Sequence, residues 1–264
     1  MSDARASALD SLGGEAPGAG ADAGERAPRC PHGLCDGSGF VVDEDTNTAH
    51  DCRCRSGRIA RLRTAGLEGR VPRRYRGVSF DRPPVLGMPE PIVSEVRRYV
   101  RHIEARLDEG RGLWLMGDVG TGKTTLAMIV SKAALDAGRS VAIYSLPRLL
   151  NLIRGAIETE SGIVGFLERL TAVDLLHIDD LGAENTTEWV LEQLYSIVNT
   201  RYEDERAMIV TTNLRYEELV AQLGERTMSR LVAICGDGLP LYGADERRAL
   251  KDERMLEHAP ARLA

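Results

Sequence analysis

Aromatic residues and lysines are scarce in this sequence. Aromatic residues make up 5% of the 264 positions, and 31 of the 34 basic residues are arginines, since lysine occurs only at Lys123, Lys132 and Lys251. A chain with so few aromatic rings is poorly suited to stacking single-stranded nucleic acid on its sheet faces. The formal net charge of −6 provides no global attraction to nucleic acid either. Any contact with DNA must therefore depend on local concentrations of charge.

The sequence also lacks long apolar runs. No segment approaches the roughly 20 consecutive apolar residues that a transmembrane helix requires, so we expect no membrane partner. The N-terminal residues do not combine a basic stretch with an apolar core, so we expect no secretory signal and a cytoplasmic location. The proportions of 43% hydrophobic and 28% charged residues are typical of a globular protein.

The composition changes along the chain and divides it into four regions. Residues 1–29 are rich in Ala, Gly and Pro without a sustained apolar period, which predicts a disordered tail. Residues 30–56 contain four of the five cysteines and are predicted to form a small metal-binding module. Residues 57–91, which hold many arginines and prolines, are predicted to form a basic linker. Residues 92–264 are predicted to form the main domain.

Helical and strand patterns alternate in the main domain. Apolar residues recur at helical spacing over Ile92–Leu107, which predicts a helix ahead of the first strand. Short apolar runs predict five buried strands, at Gly112–Met116, Val141–Ser145, Asp174–Ile178, Ala207–Thr211 and Leu239–Tyr242. His177, inside the third of these strands, is interpreted as a core residue with satisfied hydrogen bonds. Strands that alternate with helices pair into a mostly parallel sheet covered on both faces, so the predicted fold class is α/β.

The segment Gly117–Thr124, between a predicted strand and a predicted helix, matches the phosphate-loop pattern G-x-x-x-x-G-K-S/T in full. Glycines let successive backbone N–H groups point at phosphates, and the N-terminus of the following helix favours negative charge. Lys123 is predicted to bridge the β- and γ-phosphates, and the Thr124 hydroxyl to ligate Mg²⁺. These properties favour an ATP-binding site over a Gly-rich turn that holds a lysine by chance. The predicted nucleotide-binding residues are Gly117, Asp118, Val119, Gly120, Thr121, Gly122, Lys123, Thr124 and Thr125.

Polar residues follow the third and fourth predicted strands. Asp179 is predicted to hold Mg²⁺ and Asp180 to polarise the attacking water, with Glu184 as a rival for the second role. Paired acids after a strand alternatively cap the next helix. Asn213 is predicted to lie near the γ-phosphate, although an Asn after a strand is also a common turn residue.

With these motifs in this order, the sequence resembles AAA+ ATPases of the DnaC/DnaI/IstB type, a group of helicase loaders and transposition ATPases. The resemblance covers residues 74–248. It rests on five segments, at Gly117–Thr125, Leu175–Gly182, Asn199–Glu203, Ile209–Leu214 and Gly224–Leu231. It implies a P-loop AAA+ domain with a five-stranded parallel sheet, ATP hydrolysis, and a role for Asn213 as the sensor of the γ-phosphate.

The resemblance further implies an arginine finger at Arg230 or, as a second candidate, at Arg226. Such a finger contacts the γ-phosphate of a neighbouring subunit, so we expect a homo-oligomer when ATP is bound. The alternative is that both arginines, which lie four residues apart on one helical face, bind surface carboxylates.

The sequence departs from most AAA+ proteins in two respects. Only Gly243–Ala264 follow the fifth predicted strand, so we expect no C-terminal lid, as is usual in the DnaC/IstB branch. Asp180 occupies the position at which most AAA+ proteins have Glu. A shorter carboxylate lies farther from the attacking water, so we expect slow hydrolysis.

Four cysteines near the N-terminus occur as two close pairs. The pairs are Cys30 with Cys35 and Cys52 with Cys54. Two such thiolate pairs suit tetrahedral Zn²⁺, so residues 30–56 are predicted to form a zinc-binding module with a β-hairpin between the pairs. His32 or His50 is an alternative ligand in place of one cysteine. Reduced structural or redox-active thiols are the alternative to any metal.

The zinc-binding module and the segment after it indicate what this chain binds. N-terminal zinc modules of this kind resemble those of bacterial and phage loader proteins, in which this part contacts the replicative helicase, whereas IstB-type proteins usually lack it. Beyond the module, Arg53–Arg76 contains nine arginines and a single acid, Glu68, which gives a local charge of +8. Three interpretations are open: this segment binds DNA phosphates, holds an acidic partner surface, or is a solvated helix followed by a linker.

The leading hypothesis is an ATP-dependent loader of a hexameric replicative helicase in DNA replication, with single-stranded DNA as a second partner. One alternative from the same fold is an IstB-like transposition ATPase that assists a transposase. Another is a nucleotide-gated binding module with little hydrolysis, which Asp180 makes plausible. A P-loop kinase would require a substrate lid and a further arginine cluster after the sheet, and the sequence shows neither.

Overall fold

The structure is a computed structural model that describes residues 30, 32–43, 45–64, 67, 69–156, 162–182 and 187–243. The predicted disordered tail, Glu184 and the segment on which the absence of a lid depends lie outside these residues. The chain divides into two compact units, one ending at Cys52 and the other beginning at Arg53. The four-region organisation stays a prediction.

The described part of the first unit contains a β-hairpin. Strand β1 (Phe40–Asp43) pairs antiparallel with strand β2 (Thr48–Asp51). At the turn, Asn47 has a φ angle of 47°, a left-handed conformation that Asn tolerates better than most residues. The predicted hairpin between the two cysteine pairs is confirmed.

The second unit alternates helices with strands. Its helices are α1 (Arg55–Arg63), α2 (Glu90–Arg101), α3 (Ile103–Asp108), α4 (Lys123–Asp136), α5 (Leu146–Ala156), α6 (Gly162–Ala172), α7 (Glu188–Glu203), α8 (Tyr216–Leu223) and α9 (Glu225–Cys235). Its strands are β3 (Leu113–Gly117), β4 (Val141–Ser145), β5 (Leu175–Leu181), β6 (Ala207–Thr212) and β7 (Leu239–Leu241). They lie in the order β4-β5-β6-β3-β7, and all neighbours are parallel. The predicted α/β fold with a five-stranded parallel sheet is confirmed.

The strand order brings the carboxyl ends of β5, β6 and β3 side by side. β6 lies between β5 and β3, so a residue that follows β6 is close to the ends of both neighbours. The register of β5 against β6 shifts between Ile178 and Leu181. This irregularity contains Asp179 and Asp180, and bulges of this kind commonly redirect side chains next to functional sites.

Alternating side chains of the sheet build a core on each face. On β3, Trp114 packs with residues of α5 to α9, and the next residue, Leu115, packs on the opposite face with residues of α2 to α4. Leu126 and Val130 of α4 are fully buried. Burial of each such side chain contributes about 1.5–3 kcal/mol to stability. Because both faces are covered, the sheet strands are almost continuously apolar, which is the pattern that identified them.

The helix predicted over Ile92–Leu107 is two helices. α2 ends at Arg101 and α3 begins at Ile103, and His102 between them has φ and ψ angles of −113° and 28°, outside the helical region. Apolar residues keep their helical spacing across this break because both helices pack on the same core. Across the described ranges, no helix combines the length and apolar character needed to span a membrane.

Candidate nucleotide-binding site

The phosphate loop connects the end of β3 to the start of α4. Gly117, Gly120 and Gly122 have φ angles of 136°, 84° and 91°, which glycine adopts readily and other residues rarely adopt. At Gly117 the requirement is also steric, because a Cβ atom there would lie 1.9 Å from the carbonyl oxygen of Leu241. The loop therefore has the tightly curled backbone that a phosphate-binding site needs.

Lys123, the first residue of α4, is directed into this loop. Its side chain is buried, and Nζ donates hydrogen bonds to the carbonyl oxygens of Gly117, at 2.9 Å, and Asp118, at 2.6 Å. The loop is also tied to β7, since Asp118 donates its N–H to Leu241 and accepts from the N–H of Gly243, both at 3.1 Å. Phosphate oxygens would offer the ammonium group stronger, charge-assisted hydrogen bonds than these carbonyls do.

Three oxygen-bearing side chains meet beside the loop. The hydroxyls of Thr124 and Thr211 both donate to Oδ1 of Asp179, at 2.9 and 2.6 Å. The Asp179 side chain is only 16% exposed. Hydroxyl and carboxylate oxygens are ligands that Mg²⁺ prefers, so the group fits a magnesium site. The sequence does not single out Thr211, whose only signal is a hydroxyl at the end of a predicted strand.

A buried histidine lies behind this group. Nδ1 of His177 is 2.9 Å from the Ser131 hydroxyl. Nε2 has no hydrogen-bond partner among the described residues and is 4.0 Å from Oδ1 of Asp179. Burial lowers the pKa of His177 to about 3, so the ring is neutral at pH 7. The interpretation as a satisfied core residue therefore holds for one ring nitrogen and not for the other.

Asp180 and Asn213 lie at the same edge of the sheet. Asp180 has a φ angle of 59°, and its N–H donates a 3.0 Å hydrogen bond to the Thr211 hydroxyl. A non-glycine residue in this conformation costs about 1–2 kcal/mol, so the bond to Thr211 helps to hold it. Asn213 is exposed and follows β6 directly. The structure brings both side chains to the strand ends, and their catalytic roles stay predictions.

The two candidate arginine fingers lie on α9. Arg226 is exposed, Arg230 is half-buried, and both line an open cleft of about 430 Å³. The last turn of α9 lies at the start of β3, because Gly112 donates its N–H to the carbonyl of Ile234 at 2.8 Å. The phosphate loop is at the other end of β3. Of the residues that the structure describes, none from the phosphate loop lines the cleft.

Four thiols lie together in the N-terminal part of the described chain. They belong to Cys30, Cys35, Cys52 and Cys54, and their Sγ atoms all lie within 4.8 Å of one another. The Sγ atoms of Cys30 and Cys52 are 3.7 Å apart. Sulfurs around a tetrahedral Zn²⁺, at about 2.3 Å from the metal, are separated by about 3.8 Å, so the group fits zinc. Neither histidine belongs to it, and Nε2 of His50 is instead 3.2 Å from the Thr48 hydroxyl.

The backbone around Cys30 favours its thiolate form. Partial desolvation raises the pKa of Cys30, but hydrogen bonds from the backbone at Leu34, His32 and Cys35 outweigh it and lower the pKa to about 6. The thiolate is the form that binds a metal ion. Both the arrangement of the sulfurs and the backbone hydrogen bonds are therefore suitable for zinc.

A comparison with protein families identifies the family of the second unit's sequence. The sequence model of a family described as IstB-like ATP binding protein matches residues 95–234, more than half of the chain. That segment contains the phosphate loop, Asp179, Asn213 and both candidate arginine fingers.

Curated relatives and a solved structure are similar over the same region. The replicative helicase loader DnaC of Escherichia coli (strain K12) is 28% identical over 140 residues, which are 53% of this chain and 56% of DnaC. The uncharacterized protein YdaV of the same organism is 31% identical over 115 residues, 44% of this chain and 46% of YdaV. The chain thus spans about half the length of these relatives. A crystal structure of the DnaC helicase loader has a TM-score of 0.56 at 24% identity, covers 66% of this chain and is matched over 100% of its own length, which shows the AAA+ fold.

Proposed function

The chain belongs to the family of IstB-like ATP-binding proteins, and from that premise we propose that it binds and hydrolyses ATP at its phosphate loop. The observation that carries this proposal is the hydrogen bond between Thr124 of the loop and Asp179 of β5. A P-loop hydroxyl and a carboxylate at the end of a neighbouring strand are the two protein groups that hold Mg²⁺ in P-loop ATPases.

Each site residue has a distinct part in the proposed reaction. Lys123 exchanges its two carbonyl acceptors for oxygens of the β- and γ-phosphates. Thr124 and Asp179 hold Mg²⁺, which when bound neutralises charge that develops on the phosphate oxygens. Asp180 polarises the attacking water, and Asn213 donates its amide N–H to the γ-phosphate. In this proposal the short carboxylate of Asp180 makes turnover slow, and Glu184 is the alternative residue for the water.

Turnover of ATP by an Asp179→Asn variant tests this proposal. The variant should hydrolyse ATP about 100-fold or more slowly than the unchanged protein, because it removes the charge that holds the metal. Asp45→Asn, an exposed acid of the hairpin turn, is the matched control and should keep normal turnover. Normal turnover in Asp179→Asn would remove the hydrolytic function. Retained ATP binding without any turnover in the unchanged protein would favour the nucleotide-gated binding module instead.

We propose a hexameric replicative helicase in DNA replication as the partner of this ATPase. Two observations support it: the relative DnaC is a replicative helicase loader, and the four-cysteine group resembles the zinc modules of loader proteins. In this proposal the module contacts the helicase, subunits assemble when ATP is bound, and the protein acts in the cytoplasm. The second candidate is an IstB-like transposition ATPase, which the family match supports.

Co-purification separates these two partners. The full chain should elute with the replicative helicase of the organism that encodes it in the presence of ATP, and a Cys52→Ser/Cys54→Ser variant should not. Cys235→Ala is the control, because this buried cysteine lies outside the four-thiol group. Elution with a transposase and not with the helicase would favour the transposition function.

We further propose that the arginine-rich segment, Arg53–Arg76, binds phosphates of single-stranded DNA together with Lys132. The charged residues that line a cleft of about 290 Å³ are Arg70, Arg76, Lys132 and Asp136, which leaves two positive charges in excess. No ion pair between described residues neutralises any of the three basic side chains. Three cations against one carboxylate around a single cleft are suited to a phosphodiester backbone.

The salt dependence of binding to single-stranded DNA tests this second proposal. An Arg70→Gln/Arg76→Gln/Lys132→Gln variant should lower the slope of log K against log salt by about 2, since each phosphate contact contributes about 0.7. The control Arg98→Gln/Arg101→Gln/Arg111→Gln removes the same net charge elsewhere and should keep the slope. Equal slopes in both variants would leave an acidic partner surface as the better assignment for the segment.

A further inference from the structure

Two tyrosines of α7 face a single arginine of α9. The guanidinium carbon of Arg230 lies 5.0 Å from the ring centroid of Tyr195 and 5.9 Å from that of Tyr202. The tyrosines are seven residues apart, two helical turns, and therefore project from the same side of α7. Both distances are within the range in which the face of an aromatic ring attracts a cation. Two of the seven tyrosines in the sequence thus contact the same arginine.

The charge of Arg230 is not neutralised by the residues around it. No ion pair within the described ranges involves Arg230 or Arg226. Nε of Arg230 is buried and has no hydrogen-bond partner there. The alternative in which these arginines bind surface carboxylates is therefore absent among the described residues. Aromatic rings restrict a guanidinium without cancelling its charge, whereas a carboxylate would do both.

The cleft in front of Arg230 suits an anion from another chain. Its charged lining residues are Arg226, Arg230 and Glu225, so one positive charge remains in excess, and no described residue of the phosphate loop lines it. The end of α9 is fixed at the start of β3, whereas the phosphate loop follows the end of that strand. A γ-phosphate that enters the cleft must therefore belong to a nucleotide bound elsewhere, on a second copy of this chain.

We infer that Tyr195 and Tyr202 are positioning residues that hold Arg230 as the arginine finger, and that Arg230, not Arg226, has this role. The inference rests on the proposed ATPase function. An arginine side chain has several rotatable bonds, and a finger is effective only when its donors already occupy the position where charge develops. The two rings supply that restriction and leave the whole positive charge for the γ-phosphate of the neighbouring subunit.

Substitutions that keep or remove the rings test the inference. Tyr195→Leu/Tyr202→Leu should lower kcat for ATP hydrolysis at least about 10-fold, a fraction of the 10³- to 10⁵-fold that an arginine finger supplies. The Kd for ATP should stay within about threefold, because the loop that binds the nucleotide is intact. Tyr195→Phe/Tyr202→Phe, which keeps both rings, should retain most of kcat. Tyr216→Leu removes a tyrosine of α8 that is about as exposed as Tyr202, and it should change neither kcat nor the Kd for ATP.

Mixed oligomers distinguish a finger acting between subunits from general damage to the fold. Lys123→Ala subunits have an intact Arg230 and a defective phosphate loop, and the double Leu variant has the reverse. Lys123→Ala should be inactive alone and the double Leu variant slow, so a mixture should turn over ATP faster than either variant, at the sites where an intact loop meets an intact finger. Tyr202→Leu alone, which alters a side chain that is 46% exposed, gives the same test if the double variant is unstable.

The outcomes separate the inference from the proposed function. Loss of kcat in Arg230→Ala with normal kcat in both Leu variants would contradict the tyrosine assignment alone. Equal loss of kcat in the Phe and Leu variants would contradict it as well. So would a mixture of the double Leu variant with Lys123→Ala that is no faster than the double Leu variant alone, if a mixture of Arg230→Ala with Lys123→Ala does recover turnover. Normal kcat in Arg230→Ala would instead remove the arginine finger itself.

Discussion

The hydroxyl of Thr124 donates a 2.9 Å hydrogen bond to Oδ1 of Asp179, a residue 55 positions later in the chain. One is the second residue of α4 and the other lies near the end of β5, so only the folded sheet brings them together. Thr211 donates to the same oxygen at 2.6 Å. The ligands of the proposed Mg²⁺ are thus oriented by neighbours that lie outside the phosphate loop.

The first prediction concerns the hydroxyl of Thr211. Thr211→Val should raise the Mg²⁺ concentration needed for half-maximal ATP hydrolysis about 10-fold, because partners that orient a metal ligand typically contribute 10- to 100-fold to metal affinity. Thr171→Val is the control, since that hydroxyl donates only to carbonyls of its own helix. A Mg²⁺ titration of the hydrolysis rate measures both, and identical curves for all three proteins would contradict the prediction.

The second prediction concerns metal content. The purified chain should contain one zinc ion, held by the four thiolates, and the Cys52→Ser/Cys54→Ser variant should contain none. Cys235→Ala should keep the zinc because its thiol is separate and burial raises its pKa to about 12, which disfavours the thiolate. Metal analysis after gel filtration measures the content. Zinc that persists in the double variant, or that is absent from the unchanged protein, argues against this site.

The third prediction concerns Arg201, which is completely buried at the end of α7. It donates hydrogen bonds to five backbone carbonyls, those of Leu170, Thr171, Val173, Asp174 and Ala207. Burial lowers the pKa of Arg201 to about 9, with nearby Arg206 adding to the shift, so the side chain is still protonated at pH 7.

Removal of this side chain should destabilise the fold strongly. Arg201→Met should lower the free energy of unfolding by about 3–5 kcal/mol, since it leaves several buried carbonyls without donors. Arg98→Met, an exposed arginine of α2 paired with Glu95, should cost less than about 1 kcal/mol. Urea denaturation of the two variants measures the difference, and similar midpoints would show that the five carbonyls find other donors.

The fourth prediction concerns pH. The pKa of His177 is about 3 in the folded chain against an ordinary value of 6.5, because burial disfavours the charged ring. Between about pH 3 and pH 6.5, His177 therefore binds a proton when the chain unfolds. The contribution of His177 to stability is complete above that pH and is lost as the pH falls toward 3, by up to about 1.4 kcal/mol per pH unit.

A histidine variant isolates this effect. His177→Gln should flatten the fall in unfolding free energy between pH 6.5 and 4, and His50→Gln, in the exposed hairpin, should leave it unchanged. Denaturation at several pH values without Mg²⁺ gives the slopes. Parallel slopes for His177→Gln and the unchanged chain would mean that His177 titrates normally.

Much of the fold was predictable because its signals are local. The strands β3 to β6 are short apolar runs, and burial on both faces of the sheet explains why these runs are continuous. The phosphate loop was predictable because Gly117 and Gly122 satisfy conformational needs that only glycine meets easily. The break at His102 was not predictable, because apolar spacing continues across it.

The residues of the site that could not be predicted from the sequence depend on strand order and on helix packing. Thr211 contacts Asp179 only because β6 is the neighbour of β5, a fact of strand order. Tyr195 and Tyr202 become relevant only when α7 lies beside α9, which brings them to Arg230. Neither relationship has a signature in the spacing of residues along the chain.

Binding of ATP to a Lys123→Ala variant tests the central claim most directly. Lys132→Ala is the matched control, since it removes another lysine from the same helix and leaves the loop untouched. With Mg²⁺ present, the unchanged protein and Lys132→Ala should bind ATP equally, and Lys123→Ala should bind about 10- to 100-fold more weakly, as expected for a lost charge-assisted contact to phosphate. Equal affinity of all three proteins for ATP would contradict the assignment of Gly117–Thr124 as the nucleotide site.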